Sequence, residues 1–212
     1  DMAKLQEFMG KLVADFGGAA MAANVLLGDE LGLYRAMADS SFVTPSELAQ
    51  RTGCNERLLR EWLSGQTAAG YVEHHDGRFR LPPEQALALA VEDSPVFMAG
   101  GTSVLASMFI DKDKIAAAMR GNGGMAWSDH HPCLFRGTER FFRPGYKNHL
   151  VAEWLPALEG VVERLRAGGR VADVGCGHSI STVIMVQAFP NSRFDGFDCH
   201  DASIRVARQR AQ

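Results

Sequence analysis

The chain has 212 residues, 46% of them apolar and 22% charged, which is ordinary globular usage and excludes a disordered, collagenous or coiled-coil protein. Its formal net charge of −3 leaves no electrostatic footprint for nucleic acid or an anionic membrane over the chain as a whole. The length allows one large domain or two small ones with a sizeable core. No uninterrupted apolar run approaches the roughly 18 residues of a membrane span. The most apolar stretch, residues 19–27, contains Asn24. The chain opens on Asp1 without an initiator Met and stops at Gln212 inside a helical pattern, so a longer protein is expected. Cys54, Cys133, Cys176 and Cys199 are far apart and form no C-x-x-C pair. No disulfide framework or signal peptide is expected, and the expected location is the cytoplasm.

In chain order, Leu5, Phe8, Met9, Leu12, Val13 and Phe16 recur at helical spacing and predict one apolar stripe, ended by Gly17-Gly18. A helix restarts over 19–27, and another is predicted over 30–38. The stripe suits either an intramolecular core or a dimer interface, and the latter is favoured. Thr44-Pro45-Ser46-Glu47 reads as a capping box opening a short helix that Gly53 ends. Asn55 caps a second helix with Leu58, Leu59, Trp62 and Leu63 on one face, closed by Gly70. Extended runs over 71–75 and 78–81 flank Asp76-Gly77, a strong hairpin signal. This is the layout of a winged helix.

Charge argues against DNA binding by that module. Residues 25–82 hold six arginines and no lysine against eight acids, a net charge of −2. Phosphate contacts from Lys and Arg dominate affinity for duplex DNA. A wing used for packing or dimerisation is the better reading.

From 82 to about 160 the pattern is mostly helical. Ser94-Pro95 opens a helix to about residue 110, Gly121-Asn122-Gly123-Gly124 is a connector, and 125–137 is irregular and aromatic. Thr138 caps a turn through Phe141-Phe142, and Asn148 starts a helix ending near Gly168, kinked at Pro156. His130, His131 and Cys133 lie close enough to suggest a metal site. With no second ligand cluster, a polar loop is the simpler reading and no metal is expected.

The informative segment is 170–212. Val171-Ala172-Asp173-Val174 predicts a strand, Gly175-Cys176-Gly177-His178-Ser179 a turn, and Thr182, Val183, Met185, Val186 and Phe189 a helix. Pro190-Asn191-Ser192 reverses the chain. Residues 193–198 read as a second strand ending on Asp198, and Asp201 caps another helix. This β-turn-α-β-α order is the opening of a doubly wound sheet. Asp198, 21 residues after Gly177, stands where an acid accepts ribose hydroxyls. The third glycine of a dinucleotide fingerprint is absent, its place taken by Ile180. Asp173 would repel a pyrophosphate and attract an ammonium or sulfonium. That logic favours S-adenosylmethionine (SAM). Cys176 and Cys199 read as small buried apolar residues rather than nucleophiles.

The stretch 171–177 with Phe197-Asp198 resembles the first two cofactor motifs of class I SAM-dependent methyltransferases. The winged helix and helical middle resemble the two-domain small-molecule methyltransferases that dimerise through that region. The resemblance implies SAM as cofactor and S-adenosylhomocysteine (SAH) as product. It places Gly175 and Gly177 beside the methionine portion, Asp173 on its amino group, Asp198 on the ribose and Cys199 against the adenine, with Cys176, His178 and Ser179 lining the turn. Ser179 stands where the family commonly has glycine. Tyr146 is a further expected contact at the methionine end, an aromatic packed between helices being the equal alternative. The acceptor would be a small molecule and no catalytic base is assignable.

The expected fold class is mainly α with α/β: an N-terminal winged helix (1–82), a helical connector (83–168) and the first βαβα part of a Rossmann-like sheet (169–212). Two parallel strands alone leave an edge and apolar faces uncovered, so 212 residues are not expected to suffice for catalysis. The alternative is a winged-helix regulatory or dimerisation protein with a degenerate nucleotide pocket.

Overall fold

The computed structural model describes residues 1–121 and 123–212, so Asn122 of the expected connector lies outside the described residues. The fold is mainly α with an α/β portion, in two compact units, Asp1–Thr102 and Ser103–Gln212.

The first unit opens with α1 (Met2–Glu30), capped by the Asp1 carboxylate on Ala3 N and Lys4 N. The helix runs straight through Gly17-Gly18, where a break was expected. Each glycine costs about 1 kcal/mol relative to alanine, too little to interrupt a helix flanked by the alanines at 14, 19, 20, 22 and 23. By length and composition the continuous helix is apolar enough to cross a membrane, with a mean hydropathy of 1.2 over 18 residues; the expectation that no stretch reaches that length is corrected. Only Val25, Gly28 and Asp29 of α1 are buried, while Leu5, Phe8, Met9, Val13 and Phe16 are exposed. The stripe is therefore no part of this unit's core.

Gly32 in the left-handed region stops the chain, so the helix expected over 30–38 shrinks to α2 (Leu33–Ala36). Thr44 forms the expected capping box at α3 (Pro45–Thr52), with Glu47 N on Thr44 Oγ1 at 3.1 Å and Thr44 N on Glu47 Oε2 at 2.6 Å. Asn55 caps α4 (Glu56–Ala68) through Leu58 N at 3.2 Å. β1 (Glu73–His75) and β2 (Arg78–Arg80) form the antiparallel wing. Asp76 and Gly77 both have positive φ (47° and 73°), as a two-residue turn matched to strand twist requires. Val43 bridges to Phe79 and widens the wing.

Leu33, Tyr34, Met37, Val43, Leu48, Leu63 and Leu81 form the centre of this unit's core. Trp62 meets Tyr34 edge-on at 5.2 Å, its Nε1 donating to Asn24 O at 3.0 Å, while Tyr34 Oη donates to Gln66 Oε1 at 2.8 Å. After α5 (Pro83–Leu89) the chain is irregular, and α6 (Gly100–Ile110) starts later than Ser94-Pro95 predicted. Ser94 Oγ accepts from Val96 N (3.3 Å) and Ser94 O from Phe97 N (3.1 Å), a local turn that competes with the helix.

In the second unit, α7 (Lys112–Arg120) is followed by a 3-10 turn at Trp127–Asp129 and by α8 (Pro132–Gly145). The cap expected at Thr138 and the helix start expected at Asn148 are both corrected: Thr138 lies inside α8, which passes directly into a π-helix over Tyr146–Trp154. Pro144 sits inside α8. The wider turns that follow re-register the backbone past the donor this proline lacks, and Asn148 Nδ2 donates to Pro144 O at 2.8 Å. The kink expected at Pro156 is a full interruption. α9 (Val161–Ala167) restarts after Gly160, whose φ is +70°.

β3 (Arg170–Val174) and β4 (Arg193–Phe197) are parallel, with Asp173 opposite Gly196. α10 (Ile180–Ala188) connects them, and α11 (Asp201–Arg210) follows with His200, rather than Asp201, at the cap position. Leu155, Leu165, Met185 and Phe189 form this unit's core, with Val171 and Phe194 packed against them.

Candidate functional site

A parallel strand-turn-helix unit leaves the carboxyl ends of its strands facing a crevice, where backbone N–H groups and the following helix meet a ligand. Here that crevice is a cavity of about 790 Å³. The ends of β3 and β4, the glycine turn and one face of α8 line it. Asp173, Gly175, Cys176, Gly177, His178, Asp198, Cys199 and Tyr146 all border this one cavity.

Ser179 borders a separate groove with Thr182 and Val183. Cys176 is buried as expected, but Cys199 is exposed, which corrects its reading as a buried apolar residue. It follows the end of β4 and borders the cavity.

The turn is built on backbone conformations that suit glycine. Gly175 and Gly177 have φ of +82° and +53°, and neither has an atom within 4 Å of a would-be Cβ, so the backbone is open to close approach. Asp198 closes the turn: its Oδ2 accepts from Gly177 N and its Oδ1 from His200 N, both at 2.8 Å. Asp173 Oδ2 accepts from Ser181 Oγ at 3.1 Å and Thr182 Oγ1 at 2.5 Å, so the first turn of α10 orients that carboxylate. Gly196 lets the strands and turn pack, since a Cβ there would meet Cys176 Sγ at 3.1 Å.

Ser179 adopts φ +60° with no capping bond from its side chain. A non-glycine residue there costs roughly 1–2 kcal/mol. Ser179→Gly is therefore expected to raise stability by about 0.5–1 kcal/mol, after allowing for the greater freedom of glycine in the unfolded chain. A rise in the urea midpoint checks it; a fall would show that the hydroxyl contributes more than the strain costs.

Of the wall that α8 and the following turn supply, Tyr146 was expected from the sequence, whereas Phe135, Thr138 and Glu139 were not. Phe135, Thr138, Glu139, Phe142 and Tyr146 border the cavity at spacings of three, four, seven and eleven, one helical face that is visible in the sequence once Pro144 is read as tolerated. Trp127 completes an aromatic rim: its ring lies 5.5 Å from Phe135, which lies 4.1 Å from His200. The loop bearing Trp127 is tied to buried Asp111, whose Oδ2 accepts from His131 N at 2.7 Å and meets His130 Nδ1 at 3.3 Å. That backbone N–H, with Lys114 on Oδ1 at 3.0 Å, holds the carboxyl below its usual range despite burial. His131 Nδ1 turns instead to Cys133 N (3.3 Å) and Sγ (3.0 Å). Among the described residues no three such side chains converge as a metal site would require.

Glu139 is the charged group of the wall. Its Oε2 lies 2.5 Å from His178 Nδ1 and its Oε1 2.8 Å from Arg210 Nη2. Burial pushes its carboxyl up, but the His178 bond and the Arg210 charge outweigh that and leave it lowered. The cavity thus presents three carboxylates, Glu139, Asp173 and Asp198, among aromatic and aliphatic groups. Such a lining favours a ligand with cationic character and a flat apolar portion.

Residues 19–91 match the family model of the Rv2258c-like winged HTH domain. No curated protein matches the sequence. Solved structures do match. A Nostoc punctiforme protein assigned as an O-methyltransferase superposes with a TM-score of 0.68 at 18% identity, over 95% of this chain and 60% of its own. CalO1, a methyltransferase in calicheamicin biosynthesis in its SAH-bound form, gives 0.61 at 24% identity, over 97% and 62%. Human N-acetylserotonin methyltransferase in complex with SAM gives 0.59 at 18% identity, over 96% and 63%. The chain has the fold of these proteins, a winged helix followed by helices and a Rossmann-like sheet, and spans about 60% of their length.

Proposed function

We propose that the protein binds SAM in this cavity and transfers its methyl group to a small-molecule acceptor, releasing SAH. The observation that carries the reading is the pair of strand-end acids: Asp173 and Asp198 border one cavity on either side of an open glycine turn. In this reading Asp173 meets the ammonium and Asp198 the ribose hydroxyls. Gly175, Cys176 and Gly177 pass the methionine portion, His178 and Ser179 belong to the turn, Cys199 lies against the adenine and Tyr146 lies at the methyl end. The SAM- and SAH-bound states of proteins with this fold support the choice of ligand.

Methyl transfer is an in-line displacement at carbon: the acceptor's lone pair forms the new bond as the carbon–sulfur bond breaks and sulfur leaves as a neutral thioether. The protein contributes alignment and exclusion of water. Residues 1–82 serve as the dimerisation module, 83–168 as a connector that walls the cavity, and 169–212 as the opening of the cofactor domain.

Calorimetric titration of SAM and SAH into the full-length protein tests the proposal. Saturation at one site per chain is expected, and the absence of any binding heat sinks it.

The competing assignment, a winged-helix regulator that reads DNA, is disfavoured by the arginines of α4 and the wing. Arg78 pairs with Glu47, Arg80 with Glu73, Arg60 with Glu56 and Arg57 with Glu61. With an acid beside each of them, these arginines form no surplus of positive charge for phosphate contacts.

The exposed stripe of α1 is proposed as a homodimer contact rather than a membrane-spanning anchor, because Lys4, Lys11 and Asp15 put charge along another flank of the same helix. Phe8→Asp with Phe16→Asp is expected to halve the mass measured by light scattering. Persistence of the larger species, or partition of the wild type onto vesicles, overturns this contact. A cytoplasmic location accords with four free cysteines.

A further inference from the structure

Three elements far apart in the chain close a ring behind the glycine turn. Glu139 on α8 holds His178 Nδ1, and Arg210 on α11 holds both Glu139 Oε1 (2.8 Å) and the His178 carbonyl oxygen through Nη1 (2.7 Å). The imidazole is nearly buried, at 9% exposure. A carboxylate on Nδ1 fixes a proton there and leaves Nε2 as the ring nitrogen available to the cavity.

The charge inventory gives this arrangement a use. Among the described residues bordering the cavity, Glu139, Asp173 and Asp198 are acids, and His178 alone can carry positive charge. Asp173 from β3 and Asp198 from β4 face the turn from the sheet side, whereas Arg143 and Lys147 lie with Arg210 along a different groove. A ligand with an amino-acid portion at the turn brings an ammonium, which Asp173 suits, and a carboxylate, which three acids repel.

We infer that His178, its Nδ1 held by Glu139, donates Nε2–H to the ligand's carboxylate, and that Glu139 and Arg210 are positioning residues for that ring. The inference rests on the proposed cofactor reading. Arg210 keeps Glu139 ionised and anchors the turn; Glu139 sets the ring's orientation through Nδ1. The site thereby recognises both ends of a zwitterion with separate groups.

Two probes separate this role from a structural one: SAH, and 5′-methylthioadenosine, which keeps the nucleoside and thioether but lacks the amino-acid portion. In the full-length protein His178→Ala is expected to weaken SAH by about tenfold to a hundredfold, the range for a charge-assisted hydrogen bond. Methylthioadenosine affinity should stay within about twofold. His178→Gln, which keeps an N–H donor, should recover part of the SAH affinity. Glu139→Gln should weaken SAH by about threefold to tenfold, again selectively. Equal losses for both probes, or no loss for either, overturn the inference while leaving the cofactor reading intact. A wild-type protein that binds neither probe overturns both.

Discussion

Asp198→Ala is expected to weaken SAH binding by about a hundredfold or more and to lower the thermal midpoint by several degrees. On the proposed reading the carboxylate accepts both ribose hydroxyls, each charged hydrogen bond contributing roughly 1.5–3 kcal/mol. The same oxygens hold Gly177 N and His200 N at 2.8 Å, so alanine also unties the turn from the strand end. Asp198→Asn separates the two effects. It keeps one acceptor oxygen for the backbone but offers the ribose a donor where an acceptor is needed, so binding should fall far more than stability. Calorimetry for affinity and circular dichroism for the midpoint measure them independently. Affinity within threefold of wild type in both variants rules out a ribose contact.

Gly28→Ala is expected to destabilise the winged-helix unit by about 2 kcal/mol, although alanine is the better helix former by about 1 kcal/mol. A Cβ at Gly28 would lie 2.4 Å from Trp62 Cζ2 and 2.7 Å from Tyr34 Cε2. Neither ring can yield easily. Trp62 is held to Asn24 O and Tyr34 to Gln66, and the two rings pack edge-on. Overpacking of this kind costs typically 1–3 kcal/mol and forces the backbone to shift. Gly17→Ala, in the same helix with nothing within 4 Å of the added carbon, should move the urea midpoint the opposite way. If both substitutions stabilise, the close approach of α1 to the core is refuted.

The contrast between Gly28 and Gly17 also shows what could be read from the chain and what could not. Local chemistry was legible wherever a short-range bond decides the conformation. Thr44 with Glu47, Asn55, Gly53 and Asp76-Gly77 lie at the caps and turn their residue types predict. The strand-turn-helix order of 170–212 was legible for the same reason, and with it the cavity-facing acids. Gly17-Gly18 misled because a glycine pair is only a weak helix breaker among alanines.

Medium-range compensation was harder to see. Residues 125–137 read as irregular and Thr138 as the cap of a turn, because Pro144 discourages a helix; the π-helix in fact absorbs that proline. This hid the face carrying Phe135 and Glu139. Glu139 is missing from any local motif because its partners lie at 178 and 210, and spacing rules do not span such distances. Cys199 differed because strand-end position, not residue type, sets its exposure.

The ring that joins Glu139 to Arg210 bridges 71 positions of chain, which bears on the order of assembly. The bonds that tie the winged-helix core together, Tyr34 to Gln66 and Trp62 to Asn24, span 32 and 38 positions, about half that separation, and can form earlier. Closing a contact of high sequence separation is slow and entropically costly. On a ribosome the glycine turn would emerge with Glu139 already available, yet would gain its guanidinium brace only some thirty residues later. The cavity should therefore be among the last parts of the described chain to become rigid, and a ligand that binds the finished turn would trap the folded state rather than speed its formation.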